Sequence, residues 1–165
     1  MFLAVHAAVG AVAGNAVNNP LAAFTLGFIS HFFTDMVPHG DEGMYQGYKS
    51  GSKVVRALLY VGMDALATVV LIVLIFLKQD FFSTANVALG IIGGVLPDLL
   101  VGIAEVMKPK GRRWLYRKFD DFRCFHMRNH HFFIGHFRRG QKDIPLKYGL
   151  MLQATALAIL MKVIF

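Results

Sequence analysis

His31 and Asp35 stand four residues apart in the run Ser30-His31-Phe32-Phe33-Thr34-Asp35, and His126 and His130 repeat that interval later in the chain. On an α-helix, residues i and i+4 lie one above the other on a single face. Each pair therefore presents two side chains to one point, a common way for one helix to give two ligands to a metal ion. His6, Asp64 and Asp98 interrupt otherwise apolar stretches. An aspartate at the centre of a membrane helix costs about 2.5 to 3.5 kcal/mol on insertion scales, so it normally faces the bundle interior and serves a function. Three carboxylates gathered in one low-dielectric pocket repel one another and take up protons, whereas one or two divalent cations keep them ionised. His6, His31, Asp35, Asp64, Asp98, His126 and His130 are thus the candidate metal ligands, with Asp35 and Asp98 the candidates for a catalytic part. Mixed imidazole and carboxylate ligation points first to Zn, with Mn, Fe or Ni also compatible.

Each residue also has a plainer role open to it. His6 can bond a carbonyl within an Ala/Gly helix, Asp64 can pair with Arg56 about two turns earlier, and Asp98 can cap a helix broken at Pro97. His39, Asp41 and Glu42 are weaker candidates beyond Pro38, and His131 and His136 weaker still, since only one face of their segment can point at a site.

The elements that must position these residues are apolar helices. The 165 residues are 56% hydrophobic, with a mean hydropathy of +0.52, and the apolar residues fall in blocks long enough to cross a bilayer of about 30 Å. The expected fold is all-α: one polytopic bundle of about five membrane helices, near 2–17, 20–37, 54–77, 85–107 and 146–165, with a basic, aromatic interfacial segment at 108–143. Small residues in the first block suit close helix packing. Asn19 can cap the second helix, Pro20 can occupy its first turn and Pro38 stops it. Residues 40–52, polar and glycine-rich, read as a loop. Gly93, Gly94 and Pro97 predict a kink in the fourth membrane helix. A weak internal repeat pairs TLGFISHFFTD (25–35) with ALGIIGGVLPD (88–98), each closing on an aspartate.

The net charge of +7 sits mostly between two apolar blocks, so membrane topology explains it and no nucleic acid is expected. Lys and Arg accumulate on the cytoplasmic side of membrane loops. That places the 108–147 segment, the 40–52 loop and the amino terminus inside a cell membrane, and the carboxyl terminus outside. With no Lys or Arg ahead of the first apolar stretch, cleavage as a signal peptide is not expected. The single cysteine, Cys124, excludes an internal disulfide. Trp114, Tyr116 and several phenylalanines among the cations of the interfacial segment suit a helix in the headgroup layer, where anionic lipid headgroups are the expected partners. With these orientations, the candidate ligands share the cytoplasmic half of the bundle.

At those residues the chain resembles a family of small polytopic membrane proteins described as membrane-bound metal-dependent hydrolases, which includes a LexA-regulated inner-membrane member. The matching pieces are His6, the stretch from Ser30 through His31 and Asp35 to His39, Gly93-Gly94-Val95-Leu96-Pro97-Asp98, and the late run Phe125-His126-Met127-Arg128-Asn129-His130. More remotely, the helical His-x-x-x-Asp unit is similar to that of the zinc-dependent phospholipase C and single-strand nuclease superfamily. Many members carry His-Arg-Gly and then Thr-His-Ser soon after the Pro-Asp motif, where this chain has Leu99-Leu100-Val101-Gly102. The resemblance implies metal-dependent hydrolysis of a phosphoester, in a lipid-like substrate, at the cytoplasmic membrane surface. Two other classes use the same residues: a small proton or cation carrier with a His/Asp relay, and a non-catalytic membrane protein in which they are interhelical glue.

Overall fold

The computed structural model describes residues 1–78, 80–106, 113–133 and 143–165. Among these, the chain is helical throughout and contains no strand: α1 (Leu3–Asn15), α2 (Pro20–Asp35), α3 (Glu42–Lys49), α4 (Val54–Lys78), α5 (Thr84–Val106), α6 (Arg113–His130) and α7 (Leu146–Ile164).

Three of them, α4, α5 and α7, are long and apolar enough to cross a membrane. This is fewer than the five expected. At 1.5 Å per residue, the 13 residues of α1 span about 20 Å and the 16 of α2 about 24 Å, both short of a bilayer core of about 30 Å. Leu21, Leu26, Ile29 and Phe33 of α2 are exposed, but the apolar surface of α1 faces protein. Ala4, Ala7, Ala8 and Ala11 of α1 pack with Leu71 and Ile75 of α4, Val87 and Ile91 of α5 and Ile164 of α7. α4 is the opposite case: Leu58, Leu66, Val69, Val70, Val73 and Leu77 all point outward. An apolar face of that extent on a helix of spanning length is what a lipid environment requires.

The α1/α2 hairpin forms as its residues dictate. Asn19 Oδ1 accepts the Ala22 N–H at 3.0 Å, and Pro20 opens α2, where its missing N–H costs nothing. α1 and α2 both lie directly on the backbone of α5, and the junction is Gly90. A β-carbon there would collide with the Gly10 carbonyl of α1 and lie 2.9 Å from Gly14 Cα, while one at Gly27 of α2 would strike the Gly90 carbonyl. Only hydrogen at these positions allows three backbones to approach so closely.

One further expectation is corrected. The 40–52 stretch is not simply a loop, because Glu42–Lys49 forms α3. Its amphipathic pattern is fixed by tertiary contacts: Tyr45 Oη donates to Glu105 Oε1 of α5 at 2.8 Å, and Lys49 pairs with the other oxygen of that carboxylate. The described part of the interfacial segment is α6, which docks on α5 and α2. Phe122 and Phe125 close around Phe32 of α2, and Asn129 Nδ2 donates to the Phe32 carbonyl at 2.8 Å. Residues 108–112 and 134–142 of that segment, with His136, lie outside the described residues. α5 continues as one helix through Pro97.

Candidate metal centre

The site grows from the place where α1, α2 and α5 touch. Pro97 cannot donate to the Gly93 carbonyl, and one residue on, the Gly94 carbonyl receives His31 Nδ1–H at 2.8 Å. A carbonyl only accepts, so Nδ1 carries the proton and the lone pair of a neutral His31 lies at Nε2. Three residues later in α2, Thr34 Oγ1 donates its one proton to the carbonyls of Ser30 and His31 and so accepts from His6 Nδ1 at 3.0 Å. His6 likewise turns Nε2 inward, its ring stacked on His31 with centroids 4.0 Å apart. Donation of the outer ring nitrogen to a carbonyl or hydroxyl is the usual support of a metal-ligating histidine.

These rings converge on Asp35, which is fully buried. Its Oδ2 lies 3.1 Å from His31 Nε2, 3.1 Å from His126 Nε2 and 3.3 Å from His130 Nε2, and its Oδ1 lies 3.0 Å from His6 Nε2. Asp98 closes the group: Oδ1 is 3.3 Å from His126 Nε2 and 3.8 Å from His31 Nε2, and Oδ2 is 3.8 Å from His6 Nε2. Despite this crowding, Asp35 Oδ2 has no hydrogen-bond partner, nor do His6 Nε2 and His126 Nδ1. An unsatisfied buried polar atom costs about 1 to 3 kcal/mol.

A metal fits this donor set. Bonds of about 2.0 to 2.1 Å in a tetrahedron place ligand atoms about 3.3 Å apart. The spacings that include a histidine run from 2.9 Å between His31 and His126 Nε2 to 3.8 Å between His31 and Asp98, and all four donors lie within 4.8 Å of one another. His31, Asp35, Asp98 and His126 form a buried group that could hold a metal ion. Without an ion, the two close imidazole nitrogens share a proton. Burial works to lower the His126 pKa, but the Asp35 and Asp98 carboxylates beside its ring raise it to about 9.

The loop after α2 adds residues that the sequence ranks lower. His39, almost wholly buried, donates Nδ1–H to the Val37 carbonyl at 2.7 Å and turns Nε2 toward Asp41 Oδ2 at 3.0 Å. Burial opposes ionisation of Asp41, yet that contact and nearby positive charge hold it well below the usual carboxylate range. The Met1 nitrogen lies 2.7 Å from His39 Nε2 and 2.8 Å from Asp35 Oδ1. Beyond these residues opens a cavity of about 150 Å³ whose lining includes Asp98, His126, His130, Asp41, Glu42 and Tyr45. Asp98, its side chain 28% exposed, is the carboxylate of the centre that reaches this space, whereas Asp35 is sealed.

Of the seven candidate ligands, the fold brings together His6, His31, Asp35, Asp98, His126 and His130. It places Asp64 elsewhere. Asp64 Oδ2 accepts the Leu3 N–H at 2.7 Å and Oδ1 the Ala4 N–H at 3.3 Å, so this carboxylate caps α1 from α4. Thr34, the Gly94 carbonyl and Asn129, which orient or anchor the ligands, were not singled out from the sequence. Thr34 carried a signal there, since it lies between His31 and Asp35 on a helix whose polar residues share one face. Compared with known protein families, curated proteins and solved structures, the chain matches none.

Proposed function

We propose that this chain is a membrane-embedded, metal-dependent hydrolase that cleaves a phosphoester in a lipid-like substrate at the cytoplasmic membrane surface. The observation that carries the reading is the Asp35 carboxylate, buried and without a hydrogen bond on Oδ2, ringed by the Nε2 atoms of His31, His126 and His130. Two imidazoles and two carboxylates at tetrahedral spacing favour zinc. The short motifs shared with membrane-bound metal-dependent hydrolases support the same class. The Lys and Arg of the segment around α6 favour a cytoplasmic mouth.

A bound divalent ion supplies Lewis acidity, lowering the pKa of a water and polarising a phosphoryl oxygen. The protein does the rest. His31 and Asp35, on one face of α2, would hold the ion with Asp98 and with His126 of α6, and Gly94 and Thr34 fix the rings of His31 and His6. Asp98, the carboxylate in reach of the cavity, is placed to take a proton from a water there.

The test is elemental analysis of detergent-purified protein beside a His31→Ala, Asp35→Ala double variant, with turnover of a phosphodiester chromogen and of phospholipid in mixed micelles. Stoichiometric zinc and zinc-dependent turnover in the parent, both lost in the variant, is the expected outcome. Protein free of metal after preparation without chelator, and inert on every ester with zinc restored, sinks the proposal. Ion flux into liposomes that survives metal removal would instead establish the carrier.

A further inference from the structure

The ligand-bearing side chains outnumber what one ion uses. With His31, Asp35, Asp98 and His126 assigned to one ion, His39, His130 and Asp41 remain. Asp35, His39 and His130 also form a group whose donor atoms lie within 4.8 Å of one another. We propose that the centre is dinuclear, with Asp35 bridging the first ion and a second divalent cation held by His39, His130 and Asp41. This rests on the metal-site reading above and extends it to nuclearity.

Three observations carry it. His39 is preoriented: Nδ1–H is committed to the Val37 carbonyl, so the lone pair of its neutral ring faces Asp41 Oδ2 at 3.0 Å. The Met1 ammonium already meets this pair, 2.7 Å from His39 Nε2 and 4.0 Å from Asp41 Oδ2, so a cation stands where the second ion would bind. The loop carrying His39 is clamped. Gly40, at φ +83°, donates its N–H to Asp143 Oδ2 at 2.7 Å, and the buried Gln153 of α7 donates to the His39 carbonyl at 3.4 Å. The fold therefore holds an imidazole, 1% exposed, in a fixed place with Nε2 turned into the centre. Finally, the region already draws positive charge, since the Met1 nitrogen sits between His39 Nε2 and Asp35 Oδ1. A carboxylate with both oxygens in the cluster suits two ions about 3.5 to 4 Å apart, the separation of two-metal phosphoesterase-type sites.

Charge gives the reason for a second ion. With neutral imidazoles, Asp35, Asp41 and Asp98 bring three negative charges. One divalent ion with the Met1 ammonium only neutralises the centre, whereas two ions make it positive toward a phosphoester anion. Glu42 and Asp143, also on the cavity wall, sharpen that requirement.

The experiment loads the full chain in detergent with Mn²⁺ alone and reads bound metal by mass spectrometry and its spin state by electron paramagnetic resonance. The parent is expected to bind about two equivalents and to give an exchange-coupled spectrum. His39→Ala, His130→Ala protein is expected to bind about one, with the six-line signal of an isolated ion. One equivalent and an uncoupled signal in the parent overturns the second site and leaves the first standing. No bound metal in the parent overturns both. The parent titration decides the question by itself if the double variant does not fold.

Discussion

Gly90→Ala adds a single methyl group far from any ligand, yet the packing makes it a test of how the centre is built. The new Cβ would collide with the Gly10 carbonyl and lie 2.9 Å from Gly14 Cα. Carbon atoms rest at about 3.5 to 4 Å, so α1 and α5 must part by roughly 1 Å. The obstruction is backbone, with no flexible side chain to give way, and overpacking of this kind costs about 1 to 3 kcal/mol. α5 meets α1 again one turn on, where Gly94 faces the His6 carbonyl, so the displacement carries into the level of the site. A shift of α1 by about 1 Å takes the bond from His6 Nδ1 to Thr34 Oγ1, now 3.0 Å, beyond hydrogen-bond range. Loss of a bond that orients a ligand lowers metal affinity about 10- to 100-fold. The assay is competitive zinc titration with thermal melting in detergent. Gly62→Ala and Gly102→Ala serve as controls in the same kind of helix, since a Cβ at either meets nothing within 4 Å. Both should keep metal affinity and lose no stability, with a gain of up to about 1 kcal/mol from helix propensity. A Gly90→Ala protein that binds zinc like its parent would refute the argument that close backbone contact sets the ligand spacing.

Asp64→Ala should cost about 1 to 2 kcal/mol, because two N–H groups at the start of α1 lose their acceptor, while bound metal per chain stays unchanged; a drop in metal content would return Asp64 to the ligand set. Metal uptake should strengthen with pH. His126 holds a proton up to about 9 in the metal-free protein, and an ion must expel it, so affinity rises about tenfold per unit below that value and levels off above it. The sign for stability is the reverse. A folded pKa above the ordinary 6.5 gives the metal-free protein a contribution that is full below about 6.5 and lost as pH rises through about 9. Calorimetry in two buffers of different ionisation heat measures the proton released, and a pH-independent affinity would contradict the shared proton.

Much of this was written in the order of residues. Apolar run length alone announces α4, α5 and α7, because no water-soluble packing hides that surface, and Asn19 with Pro20 determines where the α1/α2 hairpin turns, because capping is local. The four-residue intervals of His31 with Asp35 and of His126 with His130 are legible for the same reason: a helix of known pitch puts them on one face. What the tertiary structure decided is everything that depends on rotation and contact between helices. α3 is too short and too glycine-rich to declare itself, and forms against Glu105 and Lys53. α1 is apolar because it faces other helices, a burial that hydropathy cannot distinguish from contact with lipid. Asp64 and Asp98 look alike as sequence, each a lone carboxylate in an apolar helix. One reaches the open N–H groups of α1 and the other reaches the histidines, and that difference comes from the glycine contacts that set how α1 and α5 lie together. His39 and Asp41 join the centre for a similar reason: the loop beyond Pro38 is folded back by Asp143 and Gln153, more than a hundred residues away in the chain.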